Sequence, residues 1–254
     1  MTSETALPIA PLRSVIAREG YAFVPAVTMR HALASSGSLA DWAAFAASWD
    51  DLALDTYMAD GGRYRRRRHA VYSVGANGAA TRMPHQPHYQ SRDYNSLNGG
   101  IARWFEPIAA EIGDGPSMRT ILEFCSTLFG AVTPASGVWH VEVHQFRIEA
   151  RPDERGQPTP EGMHRDGVDY ALVLLINRRN IGSGTTMIHA LDGRPLGAFT
   201  LTDPCDAALV DDARVFHGVT PIEPVDATLP AHRDVMVVTF RRATVPVAPG
   251  LSIA

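Results

Sequence analysis

Three side chains in this sequence have the types and the spacing to bind a transition metal. His164 and Asp166 are two positions apart within the stretch 161–170, and side chains two apart on an extended strand point to the same face. His217, in the segment 215–222 that reads as a second strand running into a turn, is the candidate third ligand. Two imidazoles and one carboxylate on one face of an octahedral metal leave three positions open, the arrangement of non-haem Fe(II) oxygenases. The sequence therefore predicts a catalytic iron site at His164, Asp166 and His217.

An arginine that could hold an acidic co-substrate follows the third ligand. Arg233 opens the last strong strand, 16 positions after His217. A guanidinium binds a carboxylate through two parallel hydrogen bonds, so Arg233 is predicted to clamp a co-substrate acid. Arg241 and Arg242, which end the same strand, are the alternatives.

A run of arginines is the most unusual feature outside the predicted metal site. Five arginines occupy the six positions 63–68. Because an alternating strand follows, some of these guanidiniums are expected to face inward, and Arg65 and Arg67 share one face. They are candidates for binding a substrate carboxylate. The alternative is a solvated edge.

Two further residues are predicted to contact the substrate. His85 and His88 are three apart, a spacing that metal ligands can share. The prolines around them disfavour a helix, so this segment is predicted to be a loop on the substrate side rather than a second metal site. Arg147 lies in the alternating stretch 139–150 and would suit an additional substrate carboxylate.

The second half of the chain carries the strand signals. From residue 138 onward, apolar and polar residues alternate with a period of two, in eight or so short segments joined by Gly, Pro and Asp turns. This pattern is typical of a β-sandwich or a jelly roll.

Helical patterns mostly precede these strands. Apolar residues recur at helical spacing within 10–60, 101–112 and 118–129. Helices that precede strands rather than alternate with them argue against βαβ units. We predict one domain spanning 1–254, mainly β with N-terminal helices (α+β), in which a helical part of about 1–135 packs on a β core of about 138–245.

Composition limits the partners. The chain has 254 residues, 45% hydrophobic and 20% charged, and a net charge of −4, so no overall basic field favours nucleic acid. No stretch reaches the length of about 18 apolar residues that a membrane span needs, and the start lacks the features of a secretion signal. Two lone cysteines, Cys125 and Cys205, favour a reducing, cytoplasmic setting. A homodimer is compatible with the sequence.

With these motifs, the chain resembles the 2-oxoglutarate/Fe(II)-dependent dioxygenases. More narrowly, it is similar to the bacterial amino-acid hydroxylases that include the L-isoleucine hydroxylases and the N-succinyl amino-acid hydroxylases. The likeness runs through the segments 57–68, 87–91, 162–167 and 233–241.

The resemblance implies a double-stranded β-helix (jelly-roll) core and a catalytic Fe(II). It also implies that Arg233 holds the far carboxylate of 2-oxoglutarate. The implied reaction hydroxylates an aliphatic C–H bond of an amino acid or an N-acyl (N-succinyl) amino acid, consumes O2 and releases succinate and CO2. Halogenases resembling this class have a small residue in place of the metal-binding carboxylate, so Asp166 favours hydroxylation.

Two alternatives stay open. The first is a cupin-type metal-dependent hydrolase or isomerase that uses a metal-bound water. The second is a non-catalytic module whose arginine run contacts RNA or an acidic partner, and the net charge of −4 argues against it.

Overall fold

The chain folds into helices followed by, and packed on, a set of antiparallel strands. The computed structural model describes residues 9–75, 78–133 and 137–243. Its helices are α1 (Ile9–Glu19), α2 (Ala26–Ser36), α3 (Trp42–Ala47), α4 (Ala110–Gly113) and α5 (Pro116–Val132), with a 3-10 helix at Ser48–Asp51. Its strands are β1 (Tyr21–Val24), β2 (Ala53–Leu54), β3 (Arg65–Val74), β4 (Ala80–Arg82), β5 (His88–Tyr89), β6 (Ala102–Arg103), β7 (Trp139–Ala150), β8 (Tyr170–Arg179), β9 (Ile181–Ser183), β10 (Thr185–Ala190), β11 (Pro195–Thr200), β12 (Ala207–Asp211), β13 (Val215–Val219), β14 (Ile222–Pro224) and β15 (Ala231–Arg242). Within these described ranges, no helix has both the length and the apolar character needed to span a bilayer.

Eight antiparallel strands form the larger sheet. Their order is β1-β12-β8-β15-β7-β3-β2, with β4 beside β3. The long strand β15 pairs with β7 on one side and with β8 on the other. A smaller sheet, β11-β10-β13, completes the wall around a pocket. The predicted jelly-roll core with N-terminal helices is confirmed.

Helices cover the outer face of the larger sheet. Ile121, Leu122 and Leu128 of α5 belong to the same buried cluster as Val143 and Val238 of the sheet. Burying an apolar side chain of this size stabilises the fold by about 1.5–3 kcal/mol. The helices therefore anchor the outer face and leave the inner face for the pocket.

The inner face carries the alternate residues of the same strands. Successive side chains on a strand point to opposite faces, so charged residues in β3, β7 and β15 point away from the helices. The strand register aligns them in rows: Arg65, Ile148 and Arg233 form one row, and His69, His144 and Val237 form another.

One predicted helix is wrong. The segment 101–112 was expected to be helical, but it contains the short strand β6 and only one helical turn at its end, α4. Pro107 explains the difference, because the residue before a proline disfavours helical dihedrals. The chain there runs extended beside β3, where the N–H of His69 binds the carbonyl of Glu106 and the N–H of Ile108 binds the carbonyl of His69.

Candidate active site

His164, Asp166 and His217 meet at one wall of the pocket. His164 Nε2 lies 3.6 Å from Asp166 Oδ1, and His217 Nε2 lies 3.4 Å from Asp166 Oδ2. One ligand atom from each residue lies within 4.8 Å of the other two. The pocket has a volume of about 280 Å³ and is lined by residues of β3, β7, β13 and β15 together with loops.

The two histidines are joined through their backbones. Residues 164 and 217 form an isolated antiparallel bridge, in which each N–H donates to the other's carbonyl at 2.9 Å. The expectation that 164 and 166 lie in a regular strand is wrong, because Asp166 belongs to the loop that follows the bridge. The carboxylate nevertheless faces both imidazoles, because the side chain of Asp212 binds the backbone of that loop.

Asp212 holds this loop. Its carboxylate accepts hydrogen bonds from the N–H groups of Asp166 and Gly167, both at 2.8 Å, and of Val168 at 3.1 Å. Gly167 has a φ of +79°, and a Cβ there would lie 2.6 Å from the ring of Tyr94. Glycine is therefore required for the loop to turn, and three charge-assisted hydrogen bonds fix where it turns.

The donor set fits a divalent transition metal. His164 Nδ1 donates to the carbonyl of Gly162 at 3.1 Å, which leaves Nε2 as a free lone pair. Across the described ranges, His217 Nε2 is buried with no hydrogen-bond partner. Burial opposes a charge on His217, but the carboxylates of Asp166 and Asp212, at 3.4 and 3.5 Å from Nε2, outweigh it and raise the pKa of His217 to about 10. The three residues thus surround a place where positive charge is stabilised, and their two nitrogens and one carboxylate are the ligands of the Fe(II) facial triad.

Arg233 lies buried in the same pocket without an anionic partner. The residue is 2% exposed, its Nε and Nη2 atoms have no hydrogen-bond partner, and no carboxylate of the described chain lies within 4.0 Å. Burial, together with repulsion from Arg178, lowers the pKa of Arg233 to about 10. An unpaired buried charge is costly, and the far carboxylate of 2-oxoglutarate would neutralise it. Arg241, the alternative, also lines the pocket but is exposed.

Arg65 and Arg67, both predicted from the sequence, line another part of the pocket. Asp55 Oδ2 lies 2.7 Å from Arg65 Nη2 and 3.5 Å from Arg67 Nη1. Burial alone would raise the pKa of Asp55, but the two guanidiniums lower it. Arg67 also lies between the rings of Phe105 and Phe146, with its guanidinium carbon 3.6 and 4.4 Å from their centroids. Both arginines are therefore held in place before any ligand binds.

A carboxylate surrounded by four imidazoles lies beside Arg67. This histidine cluster consists of Glu142 with His69, His88, His140 and His144. Burial lowers the pKa values of three of the histidines (His69, His88 and His144). Burial would raise the pKa of Glu142, but hydrogen bonds from the histidines hold it well below its usual range. The cluster is a buried carboxylate stabilised by neutral imidazole N–H groups.

Arg67 decides whether the histidine cluster also suits a metal. Four of its donor atoms lie within 4.8 Å of one another. However, Arg67 Nη2 lies 2.8 Å from His144 Nδ1, and a guanidinium can only donate, so the proton of His144 sits on Nε2. Among the described residues, His69 Nδ1 is buried without a hydrogen-bond partner, so that ring lacks the outer hydrogen bond that normally orients a metal-binding histidine. The tautomers therefore favour hydrogen bonds to Glu142 over a second metal.

Two residues predicted to contact substrate lie elsewhere. His85 lies outside the pocket lining, where its Nε2 is 2.9 Å from the carbonyl oxygen of Phe105. Arg147 points away from the pocket and binds Asp234 at 2.7 Å and Asp50 at 2.8 Å. The alternation of β7 explains this, because both neighbours of Arg147 face inward.

Four charged residues of the site were not predicted from the sequence: Arg103, Glu142, Glu161 and Asp212. Glu161 had the clearest signal, because it lies three positions before His164 in the same stretch. The others follow no spacing rule that separates them from ordinary surface charges.

The family model and the curated relatives that match this chain are all dioxygenases or hydroxylases. The sequence matches the family model described as 2OG-Fe dioxygenase over residues 46–239. It is 26% identical over 235 residues to the 3(1)-hydroxy-L-isoleucine 4-dioxygenase of Pantoea ananatis (strain AJ13355), covering 89% of this chain and 94% of that protein. It is 29% identical over 157 residues to the L-isoleucine-4-hydroxylase of Bacillus thuringiensis, covering 60% of this chain and 64% of that protein. The solved structure of a bsmA homologue from Methylobium petroleophilum PM1 superposes with a TM-score of 0.84 at 34% identity, covering 94% of this chain and 95% of that one.

Proposed function

Because the chain belongs to the 2OG-Fe dioxygenase family, we propose that it hydroxylates an aliphatic C–H bond of an amino acid or of an N-acyl amino acid such as an N-succinyl derivative. The observation that carries this proposal is the meeting of two imidazoles and one carboxylate in the same pocket as an unpaired buried guanidinium. The relatives named for isoleucine hydroxylation support an aliphatic amino acid as substrate.

Each group has a separate task. His164, Asp166 and His217 would hold Fe(II), and Asp212 keeps the loop of Asp166 in place. Arg233 would pair with the far carboxylate of 2-oxoglutarate. Bound iron and 2-oxoglutarate together supply the oxidising chemistry that breaks the C–H bond, consuming O2 and releasing succinate and CO2.

Apolar side chains line the part of the pocket near Arg233. Val235 and Val237 follow Arg233 on the inner face of β15, and Val173 of β8 lies beside Val237. These apolar side chains lie along the pocket wall that includes Arg233, and an apolar wall strengthens a charge pair formed beside it. A pocket of about 280 Å³ suits small molecules rather than a polymer.

Turnover of 2-oxoglutarate to succinate tests the proposal. The purified protein with Fe(II) should release succinate faster when the right amino acid is added, screened over free and N-succinyl aliphatic amino acids. An Asp166→Ala variant serves as the matched blank. If no member of the panel stimulates succinate release, the proposed substrate class is wrong.

The hydrolase or isomerase alternative gains no support from the relatives, and it leaves Arg233 without a partner. Anaerobic addition of 2-oxoglutarate to the Fe(II) form separates the two functions. A chelated 2-oxo acid gives a charge-transfer absorption band, which a hydrolase would lack.

We also propose that the chain works as one catalytic domain in the cytoplasm. Residues of the helices and of the larger sheet share one buried cluster, which supports a single unit. Cys125 and Cys205 are both buried and free, which suits a reducing compartment. The proposed partners are small molecules, with a homodimer as the proposed assembly, which light scattering after gel filtration would test.

A further inference from the structure

Arg103 is a second buried guanidinium without an anion. It lies on β6, lines the pocket and is 2% exposed. Its Nε atom has no hydrogen-bond partner, and within the part of the chain that the structure describes no carboxylate lies within 4.0 Å of it. Arg233 accounts for one missing anion, the co-substrate. Arg103 therefore requires another anion, and the pocket must receive it from the substrate.

Glu161 has the opposite charge, and one of its two oxygens has no hydrogen-bond partner among the described residues. Its side chain is 10% exposed and lines the pocket, and its Oε2 atom is buried without a hydrogen-bond partner in the described chain. Its other oxygen, Oε1, lies 3.7 Å from His164 Nε2, next to the predicted metal position. A buried carboxylate oxygen without a hydrogen bond destabilises the protein, and a donor supplied by a ligand, above all a charged one, would remove that cost.

Arg103 and Glu161 line the same pocket but do not pair. Burial and repulsion from Arg65 lower the pKa of Arg103, and the charges of Asp55, Glu161 and Glu142 only partly oppose this. The described side chains show no ion pair between Arg103 and Glu161. A gap between an unpaired cation and an unpaired anion is the complement of a zwitterion, which presents one charge to each.

Apart from Arg233, the other buried charged groups of the described pocket lining each have an oppositely charged or hydrogen-bonding partner within the protein. Arg65 and Arg67 share Asp55, and Arg67 is stacked between two rings. Glu142 already has imidazole N–H groups around both of its oxygens. Among the buried arginines of the described pocket lining, Arg65 and Arg67 each have a carboxylate within 4.0 Å, whereas Arg103 and Arg233 have none.

We propose that Arg103 and Glu161 form the head-group site for a free α-amino acid, with Arg103 binding the α-carboxylate and Glu161 the α-ammonium group. This inference rests on the proposed function and decides between its two substrate classes. Acylation of the amino group removes the positive charge, so an N-acyl substrate would leave Glu161 buried and unpaired. A site built for a hydrogen-bonding group rejects an analogue that lacks it.

The first test changes the ligand and leaves the protein intact. Calorimetric titrations are made under anaerobic conditions on the Fe(II) protein with saturating 2-oxoglutarate, so that no turnover occurs. The probes are L-isoleucine, 3-methylpentanoate, which lacks only the amino group, N-acetyl-L-isoleucine and L-isoleucinamide. Hydrogen bonds to charged groups lead us to expect that each altered probe binds about 10- to 100-fold more weakly than L-isoleucine. Equal affinity for 3-methylpentanoate would overturn the role of Glu161, and equal affinity for the amide would overturn that of Arg103.

The second test changes the protein. Glu161→Gln should weaken L-isoleucine about 10- to 100-fold yet leave 3-methylpentanoate within about twofold. Arg103→Met should weaken both of these acids but leave L-isoleucinamide within about twofold. Matched controls are Glu123→Gln, on the exposed side of α5, and Arg66→Met, whose side chain pairs with Glu149 outside the pocket. Both controls should bind every probe like the wild type.

Affinity for 2-oxoglutarate separates this inference from the proposed function. It should be unchanged in all four variants, because Arg233 is untouched. If the wild type binds 2-oxoglutarate but none of the amino-acid probes, the proposed substrate class falls and this assignment falls with it. If L-isoleucine binds tightly but the selectivity among probes is the same in Glu161→Gln and Arg103→Met as in the wild type, only the head-group site is wrong.

Discussion

Replacing Arg233 with methionine should have opposite effects on the stability of the ligand-free protein and on its affinity for 2-oxoglutarate. Methionine has a similar length and no charge. In the ligand-free protein it removes a buried guanidinium that has no counter-ion within 4.0 Å in the described part of the chain. In the complex it removes the partner of the far carboxylate.

The size of the stability effect follows from the pKa of Arg233. Burial lowers this pKa to about 10, and a tenfold change in proton affinity corresponds to about 1.4 kcal/mol. The unfolded chain restores the ordinary value, so the charged guanidinium destabilises the folded state by up to about 3 kcal/mol. At pH 7 the group is protonated in both states, and the penalty applies in full. Arg233→Met should therefore raise the melting temperature of the ligand-free protein, by about 6–12 °C at most for a chain of this size.

The effect on binding has the opposite sign. Removing one partner of a buried charged pair costs about 2–5 kcal/mol, which corresponds to a rise in Kd of about 30- to 3000-fold. Thermal melts with and without 2-oxoglutarate, and anaerobic titration of the Fe(II) protein, measure both effects. The control is Arg241→Met, at an exposed position on the same face of β15. If Arg241→Met loses affinity for 2-oxoglutarate and Arg233→Met keeps it, the co-substrate lies at the other end of the strand and the reasoning fails.

Three further predictions concern the ligands, their support and the pH dependence. Asp166→Ala should abolish hydroxylation measured by product analysis, and retained turnover would show that the carboxylate ligand is misassigned. Asp212→Asn should weaken Fe(II) binding by about 10- to 100-fold, because the backbone N–H groups of the Asp166 loop lose a carboxylate acceptor. Competition with a chelating dye measures this affinity. An unchanged affinity would mean that the backbone alone shapes the loop. Acidification from pH 7 to pH 5 should lower the free energy of unfolding contributed by the histidine cluster. Burial holds the pKa of His144 well below its usual value, so the unfolded chain binds more protons over this range. In urea titrations at each pH, His144→Gln should therefore show a flatter dependence than the wild type, and equal slopes would contradict the burial of a neutral imidazole.

Much of the fold and part of the site could be predicted from the sequence because those features depend on local spacing. A period of two in β3 places Arg65 and Arg67 on one face, and the structure turns that face toward the pocket. The same rule, applied to β7, would have turned Arg147 outward beside two inward neighbours. The segment 101–112 shows the limit of local spacing, because apolar residues at helical intervals there are buried by an extended chain that pairs with β3.

Two of the three unpaired charged residues of the pocket, Arg103 and Glu161, were not predicted from the sequence. Arg103, Arg233 and Glu161 stand out because each has a buried polar atom without a hydrogen-bond partner among the described residues, and residue type carries no record of a missing partner. Arg233 could be predicted from the sequence because it opens a strong strand 16 positions after His217. Arg103 sits in a segment whose conformation was itself mispredicted, and its isolation depends on Asp55 being engaged by Arg65 and Arg67. An unpaired buried charge destabilises the ligand-free protein. A ligand that pairs with this charge therefore binds more tightly than a ligand that leaves it unpaired. The unpaired charges of the pocket therefore indicate the charges of its ligands: Arg233 indicates a dicarboxylate, and Arg103 with Glu161 indicates a zwitterion.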